Sequence, residues 1–337
     1  MTATSWRTPL TARFGMRHPI LAGGLMWLSD ASYVSALVRA GAMAFMTPRS
    51  FSSLEQFAVQ LRSCREACGE LPFGVNLTLS NRPEANRDVP QQLEVALEHG
   101  VRRFETVGPS PDRLFDRIHE SGGIVIHKCA FVEHALKAQR AGADAIALVG
   151  MEAGGHPGMN PLPASLLCAL ALEQLQVPLA WGGGIGHGRQ IAAALALGCA
   201  GVVIGTRFLV GDEVTAHPAY KDHLARQEAF ASTMVLRSTG HPWRVLENDT
   251  AREVRQLETQ GARRYEEFGA LALGRTGRDG AYLAGDPQVG LLSMGPSIGF
   301  ANRREPLARI VDELMQQTQD AWRAAARLAP TEPQAVQ

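Results

Sequence analysis

The stretch PLAWGGGIGHGRQIAAALALGCAGVVIGTRF, residues 178–208, decides the fold of this chain. Two short apolar runs, 178–184 and 201–208, lie on either side of an amphipathic segment that ends at a glycine. Apolar runs of this kind, joined by a helical pattern, are typical of parallel strands that helices cover. The stretch therefore predicts one unit of two parallel strands connected by a helix.

The same pattern recurs along the chain and gives eight strand candidates. They are PILAGG (19–24), AMAFMTP (42–48), FGVNLTL (73–79), RRFETVG (102–108), GIVIHKC (123–129), AIALVG (145–150), PLAWGGG (178–184) and GVVIGTRF (201–208). Helical patterns such as DASYVSALVRAG and VEHALKAQRAGA lie between them. Eight such units in roughly 200 residues predict a (β/α)8 TIM barrel, with a doubly wound open sheet as the alternative.

The residues at the strand ends favour the barrel. Polar or glycine residues follow nearly every strand, whereas an open sheet would gather them near one crevice. They are Gly23, Gly24, Thr47, Asn76, Thr78, Glu105, Thr106, His127, Lys128, Gly154, Gly155, His156, Gly182, Gly183, Gly184, Gly205 and Thr206. In a barrel these strand ends meet at one mouth, where active sites lie.

The pattern changes after Phe208. Two segments, 211–246 and 250–274, are predicted as helices with charged outer faces, and a glycine-rich section follows them. We therefore expect a barrel over residues 1–212 and a helical cap subdomain over 213–304. A final helix, about 305–328, should pack back on the barrel, and the polar tail 329–337 should be disordered.

Composition limits the classes of function. Lys and Arg together number 33, as do Asp and Glu, so no net charge attracts nucleic acid or an anionic membrane. No apolar run reaches the roughly 18 to 20 residues of a membrane span, and the start MTATSWRTPLTARFG lacks the order of a signal peptide. Five scattered cysteines form neither a disulfide framework nor a zinc spacing. We expect a cytoplasmic protein with a small-molecule substrate and no metal.

The glycines after the last two strands predict a phosphate site. WGGGIGHGRQI follows the seventh strand and IGTRF ends the eighth, the positions where barrels hold phosphate on bare backbone N–H groups. The alternative is that these glycines only make tight turns. A dinucleotide fingerprint would instead follow a first strand, so a Rossmann domain is excluded.

Three polar side chains are the main candidates for chemistry. Lys128 at a strand end is either a cation for a cofactor or an ion-paired lysine. Asn76 is poorly matched to a strand interior, which favours a ligand contact over a turn role. His156, on a bare glycine loop, is the candidate catalytic residue, although a structural role is the alternative. His127 is predicted to be a packed ring, and His187 lies either at phosphate or in solvent.

Several motifs together resemble the FMN-dependent nitronate monooxygenase family, formerly called 2-nitropropane dioxygenases. They are HPILAGG (18–24), PFGVNLTL (72–79), FETVGPSP (104–111), VIHKCAFVEHALKAQRAGADAIALVGMEAGGHPG (125–158), the stretch 179–209 and AHPAYK (216–221). The resemblance extends loosely to GLLSMGPSIG (290–299). The family's relatives include an NADH:quinone reductase group and flavin-dependent enoyl-acyl-carrier-protein reductases.

The resemblance implies FMN as cofactor and places His156 against the flavin. It implies that the cap covers the flavin and that SMGPS (293–297) closes the pocket. Ala22, Trp181 and Gly182 depart from the family pattern, and the bulky side chains of Met26, Trp27 and Trp181 near the mouth are expected to alter the shape of the pocket and with it the choice of substrate. The residues expected to bind the cofactor are Gly23, Gly24, Asn76, Lys128, Gly155, Gly182, Gly183, Gly184, Gly205 and Thr206.

Three activities are compatible with this resemblance. The first is oxidation of alkyl nitronates by O2 to a carbonyl product and nitrite. The second is reduction of quinones by NAD(P)H at the same site, and the third is enoyl thioester reduction. The third needs a basic patch for an acidic carrier protein; Arg263, Arg264, Arg275 and Arg278 are the candidates, although acidic neighbours dilute them. A homodimer is possible.

Overall fold

The computed structural model of the chain describes residues 6–80, 83–109, 112–159 and 161–328. Eight parallel strands close into a barrel in chain order, and the eighth pairs with the first. The strands are β1 (Ile20–Ala22), β2 (Met43–Met46), β3 (Gly74–Thr78), β4 (Arg103–Val107), β5 (Ile124–Cys129), β6 (Ala145–Val149), β7 (Leu179–Gly182) and β8 (Gly201–Ile204). The predicted TIM barrel is confirmed, and the open sheet is excluded.

A short helix precedes β1, and the other helices follow the strands around the barrel and continue after β8. They are α1 (Pro9–Phe14), α2 (Ala31–Arg39), α3 (Leu54–Cys68), α4 (Val89–Glu98), α5 (Asp112–Glu120), α6 (Val132–Arg140), α7 (Ala164–Leu172), α8 (Gly188–Leu197), α9 (Pro218–Leu224), α10 (Asp249–Thr259), α11 (Gly274–Gly277) and α12 (Leu307–Ala326). Within the described ranges, none of the helices is both long enough and apolar enough to cross a bilayer.

Side-chain alternation along each strand separates the barrel interior from the layer under the helices. In β5, Ile126 belongs to the interior apolar cluster. Its neighbour His127 faces outward, where its ring packs edge-on against Phe115 of α5 and hydrogen-bonds Thr106. Lys128 lies two residues after Ile126, so its side chain is again on the interior side of the barrel, at the mouth.

The last helix, α12, packs against α8 and α2. Gly188 allows the close approach of α8 and α12, because a Cβ there would lie 2.3 Å from the carbonyl oxygen of Leu314. Its backbone N–H donates to the side-chain oxygen of Gln317 at 2.9 Å. The final helix therefore lies against the helices of the barrel. The tail predicted to be disordered, 329–337, lies outside the described residues.

The region after the barrel is not wholly helical, and the prediction of a helix over 211–246 is wrong. After α9, two antiparallel strands form: β9 (Ser232–Val235) and β10 (Trp243–Leu246). Both are short and rich in β-branched or aromatic residues, which suits a strand pair. Together with α10 they enclose a separate small core that includes Val235, Val245, Val254 and Phe268. We call residues 213–304 the cap.

Candidate active site

A buried carboxylate lies at the centre of one side of the mouth. Glu105, in β4, has a side chain that is only 1% exposed. It accepts hydrogen bonds from the Asn76 side-chain amide and, at 3.3 Å, from the Gly24 N–H. The Lys128 ammonium donates to its other oxygen at 3.1 Å. Three chain segments therefore supply donors to one carboxylate, and we call Glu105, Lys128 and Asn76 the charged cluster.

Two glycines leave space beside this cluster. A Cβ on Gly24 would lie 2.6 Å from the Thr47 hydroxyl and 2.7 Å from the Asn76 Cβ, so only glycine fits there. A Cβ on Gly23 would meet only ordinary contacts, one of them the Lys128 Nζ at 3.5 Å. Gly23, Gly24, Asn76 and Lys128, predicted from separate motifs, are thus brought together. Lys128 is ion-paired, the alternative that the sequence left open, yet its side chain keeps 19% exposure at the mouth.

The glycine loops after β7 and β8 form a second cluster at the mouth. Gly183 and Gly184 adopt φ values of +98° and +73°, which favour glycine. Within the part of the chain that the structure describes, their backbone N–H groups donate to no acceptor. Gly205 precedes the short 3₁₀ turn that Thr206 begins. Free N–H groups at such turns suit an anion such as phosphate.

Thr206 links these loops to the cap. Its hydroxyl oxygen accepts the Gly295 N–H at 3.0 Å, which leaves the hydroxyl hydrogen free to donate. The turn is fixed from behind by Arg207, whose buried guanidinium donates to Glu305 at 3.0 Å. Gly182 lies within β7, where its carbonyl accepts the Gly150 N–H. It therefore belongs to the strand and positions the glycine loop that follows.

His156 lies on the loop after β6, where that loop meets the cap. Gly155, at φ +89°, pairs with Arg244 of β10 through two backbone hydrogen bonds of 2.7 and 3.0 Å. The His156 ring stacks on Trp243, with centroids 4.7 Å apart and planes 28° apart. The Trp243 N–H donates to the Ser293 hydroxyl at 2.8 Å, which fixes the indole. The orientation of His156 is therefore set by the cap as well as by its own loop.

The environment of His156 favours the neutral imidazole. Desolvation by the surrounding chain lowers its pKa to about 4, and repulsion from His241 adds to the shift. The residue is nevertheless exposed at the mouth, where a ligand could reach its ring. At neutral pH such a ring offers one N–H donor and one nitrogen acceptor.

The remaining candidates have structural roles. His127 is the packed ring that the sequence predicts, and burial lowers its pKa to about 4. His187 caps α8, since its side chain accepts the Arg189 N–H at 3.1 Å. Trp181 packs in the layer between barrel and helices, so the expectation that it shapes the pocket is wrong. Strand alternation causes this, because Ala180 takes the interior position.

Sequence reasoning missed two residues of the site. Glu105 stood among the strand-end residues but was not assigned a role there. The signal was present, since a carboxylate two positions from the end of a buried strand needs partners. Trp243 could not have been found, because its contact with His156 depends on how the cap folds onto the barrel.

Comparisons with known proteins place the chain among related sequences. The family model of nitronate monooxygenase matches residues 7–317. One relative is the (3aS,4S,5R,7aS)-5-hydroxy-7a-methyl-1-oxo-octahydro-1H-indene-4-carboxyl-CoA dehydrogenase of Mycobacterium tuberculosis. The two chains are 33% identical over 246 residues, which cover 72% of this chain and 67% of the relative. This chain is 25% identical over 295 residues, 75% of its length and 82% of the relative's, to a probable nitronate monooxygenase of Staphylococcus saprophyticus.

Solved structures give the same result for the fold. FabK from Thermotoga maritima superposes with a TM-score of 0.87 at 27% identity, covering 96% of this chain and all of that one. Relatives with different activities thus share one scaffold, so the family by itself does not fix the substrate. The match over residues 7–317 shows that this chain belongs to the nitronate monooxygenase family of oxidoreductases.

Proposed function

We propose that this chain is an FMN-dependent enzyme that oxidises alkyl nitronates with O2. In balanced form, two nitronates and one O2 give two carbonyl products and two nitrite ions. One observation carries the proposal: His156, whose ring stacks on Trp243 and whose pKa is lowered, lies on the same mouth as a glycine loop suited to phosphate and a buried charged cluster.

The residues at the mouth fit FMN. The free N–H groups of Gly183 and Gly184 and the Thr206 hydroxyl would hold the phosphate. Lys128 and Asn76 would face the polar edge of the flavin ring, with Gly23 beside them. FMN would supply the acceptor for the electrons of the substrate.

The lowered pKa of His156 favours a nitronate over a neutral nitroalkane. A nitronate is already ionised, so its oxidation needs no strong base. The neutral ring of His156 would donate its N–H to a nitronate oxygen and hold the reacting carbon toward the cofactor. The stack on Trp243 limits the orientations that the ring can take.

A second candidate is dehydrogenation of an acyl thioester. The dehydrogenases of M. tuberculosis and Rhodococcus jostii, 33% and 31% identical, act on a carboxyl-CoA compound according to their names. The carbon beside a thioester carbonyl is a carbon acid like that of a nitroalkane, but it must be deprotonated during the reaction. His156 would then act as a base, for which a pKa near neutrality would serve better.

The decisive experiment is anaerobic stopped-flow spectroscopy of the purified protein's flavin absorbance. Propionate 3-nitronate, NADH and an acyl-CoA thioester are mixed with the enzyme in separate runs. We expect rapid bleaching by the nitronate and slow bleaching by the other two. Bleaching by NADH alone would indicate the quinone reductase, and bleaching by the thioester alone would indicate the dehydrogenase. A protein that neither contains nor binds FMN would contradict all three.

A further inference from the structure

The charged cluster has an arrangement that flavin binding alone does not require. Glu105 is buried to 1% exposure, and its two oxygens take donors from the segment after β1, from β3 and from β5. Asn76 is itself held, since the Thr78 hydroxyl donates to its side-chain oxygen at 2.8 Å. The Asn76 amide and the Lys128 ammonium are therefore both held in fixed orientations by hydrogen bonds to Glu105.

Glu105 also carries a full charge beside the one cation of the cluster. A buried carboxylate is tolerated only when donors and an opposite charge satisfy it. Here the Lys128 ammonium does so, and the two charges sum to zero. A lysine without this partner would present its whole positive charge to a ligand lying over Gly23.

We propose that Glu105 is a positioning residue that fixes Lys128 and Asn76 and offsets the charge of Lys128, thereby holding the reduction potential of the bound flavin low. The inference rests on the proposed FMN site. Reduced flavin gains negative charge, so an unopposed cation nearby would stabilise it and raise the potential. Glu105 limits that effect while keeping the ammonium in place.

Four variants test this balance of charge. Glu105→Gln removes the negative charge at nearly constant shape, Lys128→Met removes the positive charge, and the double variant removes both. Glu105→Asp keeps the charge on a shorter side chain and serves as the conservative control. The midpoint potential of the bound FMN is measured for each by equilibration with reference dyes, together with the dissociation constant for FMN.

We expect Glu105→Gln to favour reduced flavin at least tenfold, about 30 mV for a two-electron couple. Lys128→Met should shift the potential in the opposite direction. The double variant should return close to the wild-type potential, and Glu105→Asp should change it least. If Glu105→Gln folds poorly, the double variant, which buries no unpaired charge, is compared with Lys128→Met, and its higher potential then measures the effect of Glu105.

Equal potentials in Glu105→Gln and wild type would overturn the proposal, as would shifts of the same sign in both single variants. Failure of the proposed FMN site is a separate outcome. It would appear as absence of FMN binding by the wild-type protein, before any variant is compared.

Discussion

The two sides of the mouth are built in different ways. On one side, Glu105, Asn76 and Lys128 project from strands of the closed barrel and satisfy one another. On the other, His156 projects from a loop and depends on Trp243 of the cap for its orientation. Residues on strands are fixed by the barrel's own hydrogen bonds, whereas the orientation of His156 depends on a contact that the cap supplies. We therefore expect the barrel side to bind the cofactor and the cap side to bind the substrate.

The strongest test of this division is His156→Ala. If the cap side serves the substrate alone, the variant should keep FMN but lose turnover of nitronate by at least about 100-fold, the lower range for a positioned proton-transfer or hydrogen-bonding group. The measurements are the ratio of flavin to protein and the steady-state rate. His99→Ala is the matched control, because among the described residues the His99 ring bonds the end of α4 and Arg62, away from the mouth. Retained turnover would remove His156 from the mechanism, and loss of FMN would abolish the division between the two sides.

The converse test is Gly23→Ala on the barrel side. The added Cβ meets only ordinary contacts, the nearest being a Val203 methyl at 3.4 Å, so the fold should tolerate it. It would nevertheless occupy the space over the charged cluster, and we expect the affinity for FMN to fall about tenfold, equivalent to about 1.4 kcal/mol. Fluorescence titration of apoprotein with FMN measures this loss.

Gly24→Ala is the matched comparison, because its Cβ would lie only 2.6 Å from the Thr47 hydroxyl. That variant should also lower the melting temperature, since overpacking typically costs about 1–3 kcal/mol. Unchanged FMN affinity in Gly23→Ala would place the cofactor elsewhere on the mouth.

A smaller effect is expected from the support of His156. Ser293→Ala removes the acceptor of the Trp243 N–H but leaves the stack, so turnover should fall only a few-fold, in keeping with a neutral hydrogen bond of about 1 kcal/mol. Trp243→Phe also keeps a ring under His156 and should behave similarly. Trp243→Ala should lower turnover nearly as much as His156→Ala does, while FMN remains bound. If Trp243→Ala behaved like wild type, the cap would have no part in orienting the ring.

The same contrast explains what could be predicted from the sequence. All eight strands were predicted, because each is a short apolar run that must lie between the interior and a layer of helices. The glycine loops were predicted as part of the site because they follow those strands, and Lys128 because it lies near the end of one. The strand pair β9 and β10 was missed, since short segments outside the repeating pattern depend on contacts distant in sequence, such as Gly155 with Arg244. Trp243 lies in that pair, so the partner of His156 was missed with it.

The smallest expected effect is also the sharpest test of the His156 environment. A histidine with the ordinary pKa of about 6.5 would be only about one quarter neutral at pH 6. Because the structure lowers the pKa of His156 to about 4, almost all of it should stay neutral there, and its ring signals should barely shift between pH 8 and pH 6. NMR titration of the histidine ring protons of the FMN-bound protein measures this, with the His156 signals assigned from their absence in His156→Ala. A midpoint near 6.5 would make His156 a stronger base than the nitronate proposal requires, and would favour a substrate whose α-proton must be removed, such as an acyl thioester.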